Sequence, residues 1–222
     1  MAERTEDDIL FEEIDDELRK DHANKLWQAY GQYVIALCVA IVVGVGGFKG
    51  WQHYDLTSRQ AAGEQFAAAM TLAADNKTED SFNALSDLAA DGTEGYKVLA
   101  RFSQARLMAQ NNDSIGAAET YRSLAEDSSL DSLYRDMAVI LGALVELNVP
   151  GTDWAGLEQR LAPLSVDTSP WRFSAREISA LIAQKTGANT KARDLFKGLS
   201  SDRNSPEGVR ARAQEMLSIL GK

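Results

Sequence analysis

Residues 26–48 read LWQAYGQYVIALCVAIVVGVGGF, 23 positions without a charge, bounded by Lys25 and Lys49. A helix needs roughly 20 such residues to cross ~30 Å of hydrocarbon, so the stretch predicts one membrane-spanning helix. Its most apolar part, residues 33–48, is short by itself, and the ends make up the length. Trp27, Tyr30 and Tyr33 lie at one end, and Phe48, Trp51 and Tyr54 at the other. Amphipathic rings favour headgroup level, so a belt at each end suits a segment that meets two membrane surfaces. A buried core helix has no reason to carry both. A signal peptide has a short basic start, an apolar stretch of roughly 7–15 residues and a small-residue cleavage site. Here a mostly acidic tail of 32 residues comes first, and Gly46-Gly47-Phe48-Lys49 is a poor cleavage site. The segment is read as a retained anchor.

Charge divides the chain. Residues 1–32 hold ten acids against Arg4, Arg19, Lys20 and Lys25, a net of −6 out of −10 for the whole chain. Neither part has the basic footprint of a nucleic-acid binder. The single cysteine, Cys38, sits inside the apolar segment, so the chain forms no internal disulfide.

In the tail, residues 1–25, Ile9 or Leu10, Ile14 and Leu18 recur at three- and four-residue steps, a narrow apolar stripe on a charged helix. Acids come first and Arg19, Lys20 and Lys25 last, the order a helix dipole favours. Two readings stand: a solvated helix leading into the membrane, or a docking helix for a partner on that side. Arg19, Lys20 and Lys25 precede the span and Lys49 and Arg59 follow it, so the bias of flanking bases keeps the tail inside, by a margin of one charge. Within the span Ala36, Ala40 and Gly44 fall four apart, and Gly46 and Gly50 add a GxxxG. Such small stripes let another helix approach closely in lipid, though Gly and Ala are common in such helices anyway. No charge lies mid-span, which argues against transport.

From about Leu56 onward no strand pattern is present, and two marks recur with one period. The first is an aromatic or apolar residue, a base, then Ala three further on: Tyr96-Lys97 with Ala100, Tyr134-Arg135 with Ala138, Trp171-Arg172 with Ala175, and Val209-Arg210 with Ala213. A weaker copy is Ser58-Arg59 with Ala62. The second pairs a bulky residue with Leu three on and Asp three beyond that: Leu85, Leu88 and Asp91; Tyr121, Leu124 and Asp127; Leu161, Leu164 and Asp167; Phe196, Leu199 and Asp202. Two marks sharing a period of 35–40 residues predict one helical hairpin per repeat. The first helix opens at the aromatic–basic mark, its Ala sits where helices cross, and the second helix ends at the Leu. Bends are expected at Asp75-Asn76, Asn111-Asn112-Asp113, Pro150-Gly151 and Gly187-Ala188-Asn189. Four hairpins and a closing helix account for the region, stacked as an all-α solenoid because no hairpin buries its apolar face alone.

The repeats resemble tetratricopeptide repeats in degenerate form; the W-x2-L-G-x2-Y marker is absent. The run 11–21, FEEIDDELRKD, then Leu26-Trp27, Tyr30-Gly31, residues 33–36 and Gly50-Trp51-Gln52 resemble the bacterial YfgM-like family, ancillary Sec translocon subunits, and its alphaproteobacterial members in particular. The resemblance implies a single-pass protein of the bacterial inner membrane with a cytoplasmic N-terminus. It also implies a periplasmic tetratricopeptide-like domain that contacts the Sec translocon, a periplasmic chaperone or secretory client chains.

Nothing in the sequence points to catalysis. His22 and His53 lack companions at metal-ligand spacing, and HExxH, GxSxG, P-loop, GxGxxG and CxxC patterns are absent. No catalytic, cofactor-binding or metal site is expected, and no cofactor. Trp171 shares the repeat position of Tyr96 and Tyr134 and is read as core. Trp154 follows Pro150-Gly151-Thr152-Asp153 at a helix start and breaks the pattern, which makes it a candidate partner contact. Arg101, Arg135, Arg172, Arg176 and Arg210 recur near helix starts, unfavourable in dipole terms; they pair with acids such as Asp136 and Glu177, or line a face for a peptide.

The layout expected is therefore an acidic tail at 1–25, a transmembrane helix at 26–48, an interfacial linker at 49–55 and a repeat domain at 56–222. The function expected is a membrane-tethered scaffold ancillary to protein translocation. A general envelope-assembly or division scaffold, and a regulatory anchor acting through the acidic helix, are the alternatives.

Overall fold

A computed structural model describes residues 6–221, with side chains from residue 25 onward except that of Val34. The tail stripe at Ile9, Leu10, Ile14 and Leu18 and the imidazole of His22 lie outside the described side chains. The described residues are helices joined by short turns, with no strand among them. They fall into two compact units, Met1–Gln60 and Ala61–Lys222.

The first unit is a single helix. Helix α1 (Glu6–Ala74) runs without a break through residues 49–55, so the segment expected as a linker is itself helical, and α1 supplies the opening residues of the second unit. The reason is local: 49–55, KGWQHYD, contains no proline and one glycine, too little to stop a helix already propagating. Its stretch from Lys25 to Ala74 contains a window of mean hydropathy 2.0, and only 6% of that window is buried. Among the described residues it is the one helix long and apolar enough to cross a membrane.

In the second unit the remaining helices are α2 (Thr78–Asp91), α3 (Glu94–Gln110), α4 (Ser114–Glu126), α5 (Ser132–Glu146), α6 (Trp154–Leu161), α7 (Arg172–Lys185), α8 (Asn189–Ser201) and α9 (Glu207–Leu220). A single 3-10 turn, Ala162–Ser165, prolongs α6. The end of α1 pairs with α2, α3 with α4, α5 with α6 and α7 with α8, and α9 closes the stack. The bends fall where the sequence places them. Each holds one residue at positive φ: Asn76 at 59°, Asn112 at 65°, Gly151 at 77° and Gly187 at 79°. Glycine takes that left-handed conformation freely, and Asn tolerates it better than most residues, which is why these two types mark the turns.

Both repeat marks are packing positions. Ala100, Ala138, Ala175 and Ala213 are 1% exposed or less, and Ala62 of the weaker copy is also buried. The eight bulky and Leu residues of the second mark, from Leu85 and Leu88 to Phe196 and Leu199, are all buried. Burying each such side chain stabilises by about 1.5–3 kcal/mol. The aromatics of the first mark sit at the margin instead: Tyr96 and Trp171 are half-buried and Tyr134 is exposed. Tyr96 packs against Phe66 of α1, ring centroids 6.1 Å apart, and its hydroxyl reaches over Gly63, where a Cβ would lie 2.7 Å from that oxygen. Ser81, fully buried, donates from Oγ to the Ala69 carbonyl and ties α2 to α1.

Three of the four bases hold backbone carbonyls; Arg135, the base of the Tyr134 mark, does not, and its Nε is buried without a hydrogen-bond partner among the described residues. Lys97 donates to the Ala90 carbonyl at the end of α2, Arg172 to that of Ser169, and Arg210 to those of Arg203 and Ser205. Lys97 thus serves a carbonyl in the last turn of the previous helix, where negative partial charge collects, whereas Arg172 and Arg210 tie down carbonyls of the loops that lead into their own helices. Arg101 pairs with Asp127 at 2.8 Å, and Arg176 with Asp167. Asp136 is not the partner of these arginines, and Glu177 is taken by Arg212 instead.

Candidate protein-interaction site

The period that aligns the marks also aligns residues along the first helices of the hairpins. Leu144 on α5, Leu181 on α7 and Ile219 on α9 follow one another at steps of 37 and 38. Leu144 is 43% and Ile219 56% exposed, and Leu181 is half-buried. They form an apolar lane at equivalent positions along α5, α7 and α9, in which Leu144 and Ile219 face solvent and Leu181 also packs against the two core clusters.

Beside this lane lies a groove of about 470 Å³ between α5, α7 and α9. Its floor is Ile140, Ile178 and Phe196, all buried in the two clusters that hold this end of the domain together. Leu144, Leu181 and Met216 make its walls, and Glu177, Arg212 and Glu215 its polar edge. Arg212 is bidentate on Glu177, Nε to Oε1 at 2.6 Å and Nη2 to Oε2 at 2.8 Å. Those hydrogen bonds hold the guanidinium pKa above its usual range. The arrangement suits apolar side chains.

A second cavity of about 380 Å³ opens between α4, the α5–α6 bend and α6. At its base the buried Glu146 accepts from Arg160 through both oxygens, at 2.9 and 2.6 Å, with Arg122 at 3.8 Å. Thr152 donates to the backbone carbonyls of Glu146 and Val149 and shapes the bend, and Asp153 caps α6 by accepting from the Gly156 N–H. Sequence reasoning missed this ion cluster. Glu146 and Arg160 are 14 residues apart, and no spacing rule announces a pair made across a bend.

The residues singled out from the sequence are placed as follows. Ala36, Ala40, Gly44, Gly46 and Gly50 are exposed along α1, with open space where a Cβ would project from Gly44, Gly46 and Gly50. Trp27, Tyr30, Tyr33, Phe48, Trp51 and Tyr54 are each 59–73% exposed. At 1.5 Å per residue, Tyr30 and Trp51 lie about 31 Å apart along the helix, the thickness of a hydrocarbon layer. Cys38 is exposed on the same segment. Trp154, the first residue of α6, is half-buried against Ile140, Leu157 and their neighbours, so most of its ring serves packing. Among the described residues no group of three His, Cys, Asp or Glu side chains is placed to hold a metal ion.

A family model described as a tetratricopeptide repeat-like domain matches residues 24–202. Neither the curated proteins nor the solved structures include a significant match. Repeat domains of this kind are protein-interaction modules and are in general non-catalytic. The matched span takes in the long apolar helix and all four hairpins, and the chain belongs to the tetratricopeptide repeat-like domain family.

Proposed function

We propose that the chain is a scaffold of the bacterial inner membrane, anchored by residues 26–48, with residues 1–25 in the cytoplasm and the repeat domain in the periplasm. There it binds the Sec translocon, a periplasmic chaperone or secretory client chains as they emerge. The observation that carries the reading is the apolar groove between α5, α7 and α9, continuous with the lane Leu144, Leu181 and Ile219. A soluble domain leaves such positions uncovered chiefly where something docks. The uncharged, exposed stretch of α1 with aromatics at both ends supports the anchor. The likeness of residues 11–52 to ancillary translocon subunits supports the choice of partner. Tethering beside a translocation exit raises the effective concentration of the groove for its clients without any new contact.

The test is photo-crosslinking in cells, with probes at Ala40 in the span, Leu181 in the groove and Trp154 beside it. Translocon subunits captured from Ala40 and secretory chains from Leu181 are the expected products. Crosslinks only to division or outer-membrane assembly proteins refute the translocation role and leave a general envelope scaffold. Loss of every partner on deletion of residues 1–25 would move the function to the acidic helix.

A further inference from the structure

We infer that the occupant of the groove between α5, α7 and α9 is an apolar segment that carries lysine or arginine beside its apolar side chains, and that acidic segments and free carboxyl termini are excluded. This rests on the reading of that groove as the binding site and adds the chemistry of what enters it. Three charged side chains border the cavity: Glu177, Arg212 and Glu215. Arg212 is spent, with both arms of its fork on Glu177. An incoming carboxylate therefore finds no unpaired cation at the edge, and displacing Glu177, whose side chain is 13% exposed, would strand a largely buried charge. Glu215 is exposed on α9 and forms no ion pair among the described residues, so of the three charges lining the groove the unspent one is negative. The lane's own cation, Arg106, occupies the position equivalent to Leu144 one repeat upstream and does not line the cavity. The edge as a whole carries −1. The floor and walls, from Ile140 to Met216, accept aliphatic side chains, and Leu181 and Met216 are adaptable enough to take several shapes. Apolar contact supplies affinity here, and charge supplies selection against the wrong sign.

The experiment uses the full chain in nanodiscs of zwitterionic phosphatidylcholine, with empty nanodiscs as the blank. Two short Leu/Ile/Val peptides with blocked termini, one flanked by lysines and the other by glutamates, are titrated by calorimetry. The lysine peptide is expected to bind about two- to fivefold more tightly, the scale set by exposed charge pairs. Glu215→Lys should abolish or invert that preference, and Glu177→Gln, which frees Arg212, should narrow it by admitting the glutamate peptide. Leu144→Asp, at an exposed position, should weaken both peptides by removing apolar wall, and the glutamate peptide more because the new charge is negative. Equal affinities, or tighter binding of the glutamate peptide, overturn the inference; if Leu144→Asp then still weakens both, the groove remains the binding site. Failure of both peptides to bind, or binding indifferent to Leu144→Asp, overturns the groove reading and the inference together.

Discussion

Replacing Arg160 by alanine isolates the joint between α5 and α6. Glu146 is 5% exposed, and its two oxygens accept from Arg160 at 2.9 and 2.6 Å; the next cation, Arg122, is 3.8 Å away. Removing one partner of a buried pair costs about 3–5 kcal/mol, because the charge left behind keeps its desolvation penalty. Two features lower that figure here. The cavity of about 380 Å³ beside the pair admits water to the abandoned carboxylate, and Arg122 needs to move by less than an ångström or so to make a hydrogen bond. The expected loss is therefore about 2–3 kcal/mol, or a rise of about 30- to 150-fold in the opening equilibrium of α6. Hydrogen exchange at the α6 amides of the full chain in detergent reads this directly, with urea unfolding followed by tryptophan fluorescence as the global measure. Glu146→Leu combined with Arg160→Met removes both charges and should cost less than about 1 kcal/mol, giving a large coupling between the sites. If Arg160→Ala costs under about 0.5 kcal/mol, or the double variant is as damaging as the single one, the pair is not what joins these helices.

Three other outcomes follow from the packing and the charges. Phe196, fully buried between α7, α8 and α9, should lose about 3–5 kcal/mol on Phe196→Ala in the same urea assay, whereas Ile219→Ala, exposed on α9, should lose under about 0.5 kcal/mol. Asp127 has its pKa lowered from 3.8 to about 2 by hydrogen bonds from Ser129 and Arg101. A depressed carboxylate stabilises the fold above its unfolded pKa and loses that contribution as pH falls through the folded one. The decline of stability between about pH 4 and pH 2 should thus be shallower in Asp127→Asn, as read by helical circular dichroism against pH. Cys38, exposed at the centre of the apolar stretch, should resist maleimide in intact membranes, because a thiol in hydrocarbon stays protonated, and react once the protein is denatured in detergent; ready labelling in the membrane by a charged, impermeant maleimide would count against burial in lipid.

How much of this was legible in the sequence depends on what kind of contact was involved. The bends were readable because Asn76, Asn112, Gly151 and Gly187 take a conformation that few residues adopt. The crossing points were readable because only a small residue fits at Ala100, Ala138, Ala175 and Ala213, so the alanine recurs with the period. Pairings across space were not. The arginines near helix starts looked misplaced against their own helix dipole; Arg101 in fact pairs with Asp127 and Arg176 with Asp167, and Arg172 and Arg210 hold carbonyls of the loops just before their helices. Glu177 finds Arg212 at 35 residues' distance and Glu146 finds Arg160 across a bend, neither at a spacing that sequence alone would nominate. The groove was half legible: the period already held Leu144, Leu181 and Ile219 in line, but the exposure of that line required the fold. Residues 49–55 read as an interfacial linker from their aromatic belt, and α1 runs through them as helix because nothing in KGWQHYD ends one.

The contacts made by Lys97, Arg172 and Arg210 bear on how such an array drifts over time. Lys97 closes one hairpin with a side chain borrowed from the next, and Arg172 and Arg210 pin the connecting loops, so the joints are held partly by long, flexible cations reaching main-chain oxygens. Main-chain oxygens are present whatever the local side chains become. A joint of that kind survives substitution of nearly everything around it, provided the cation and the small residue three positions later keep their phase. The W-x2-L-G-x2-Y marker is absent from this chain, yet neighbouring units still dock in register. What such a lineage preserves is a beat rather than a motif, and two weak marks with a common period then identify kinship better than any single strong one.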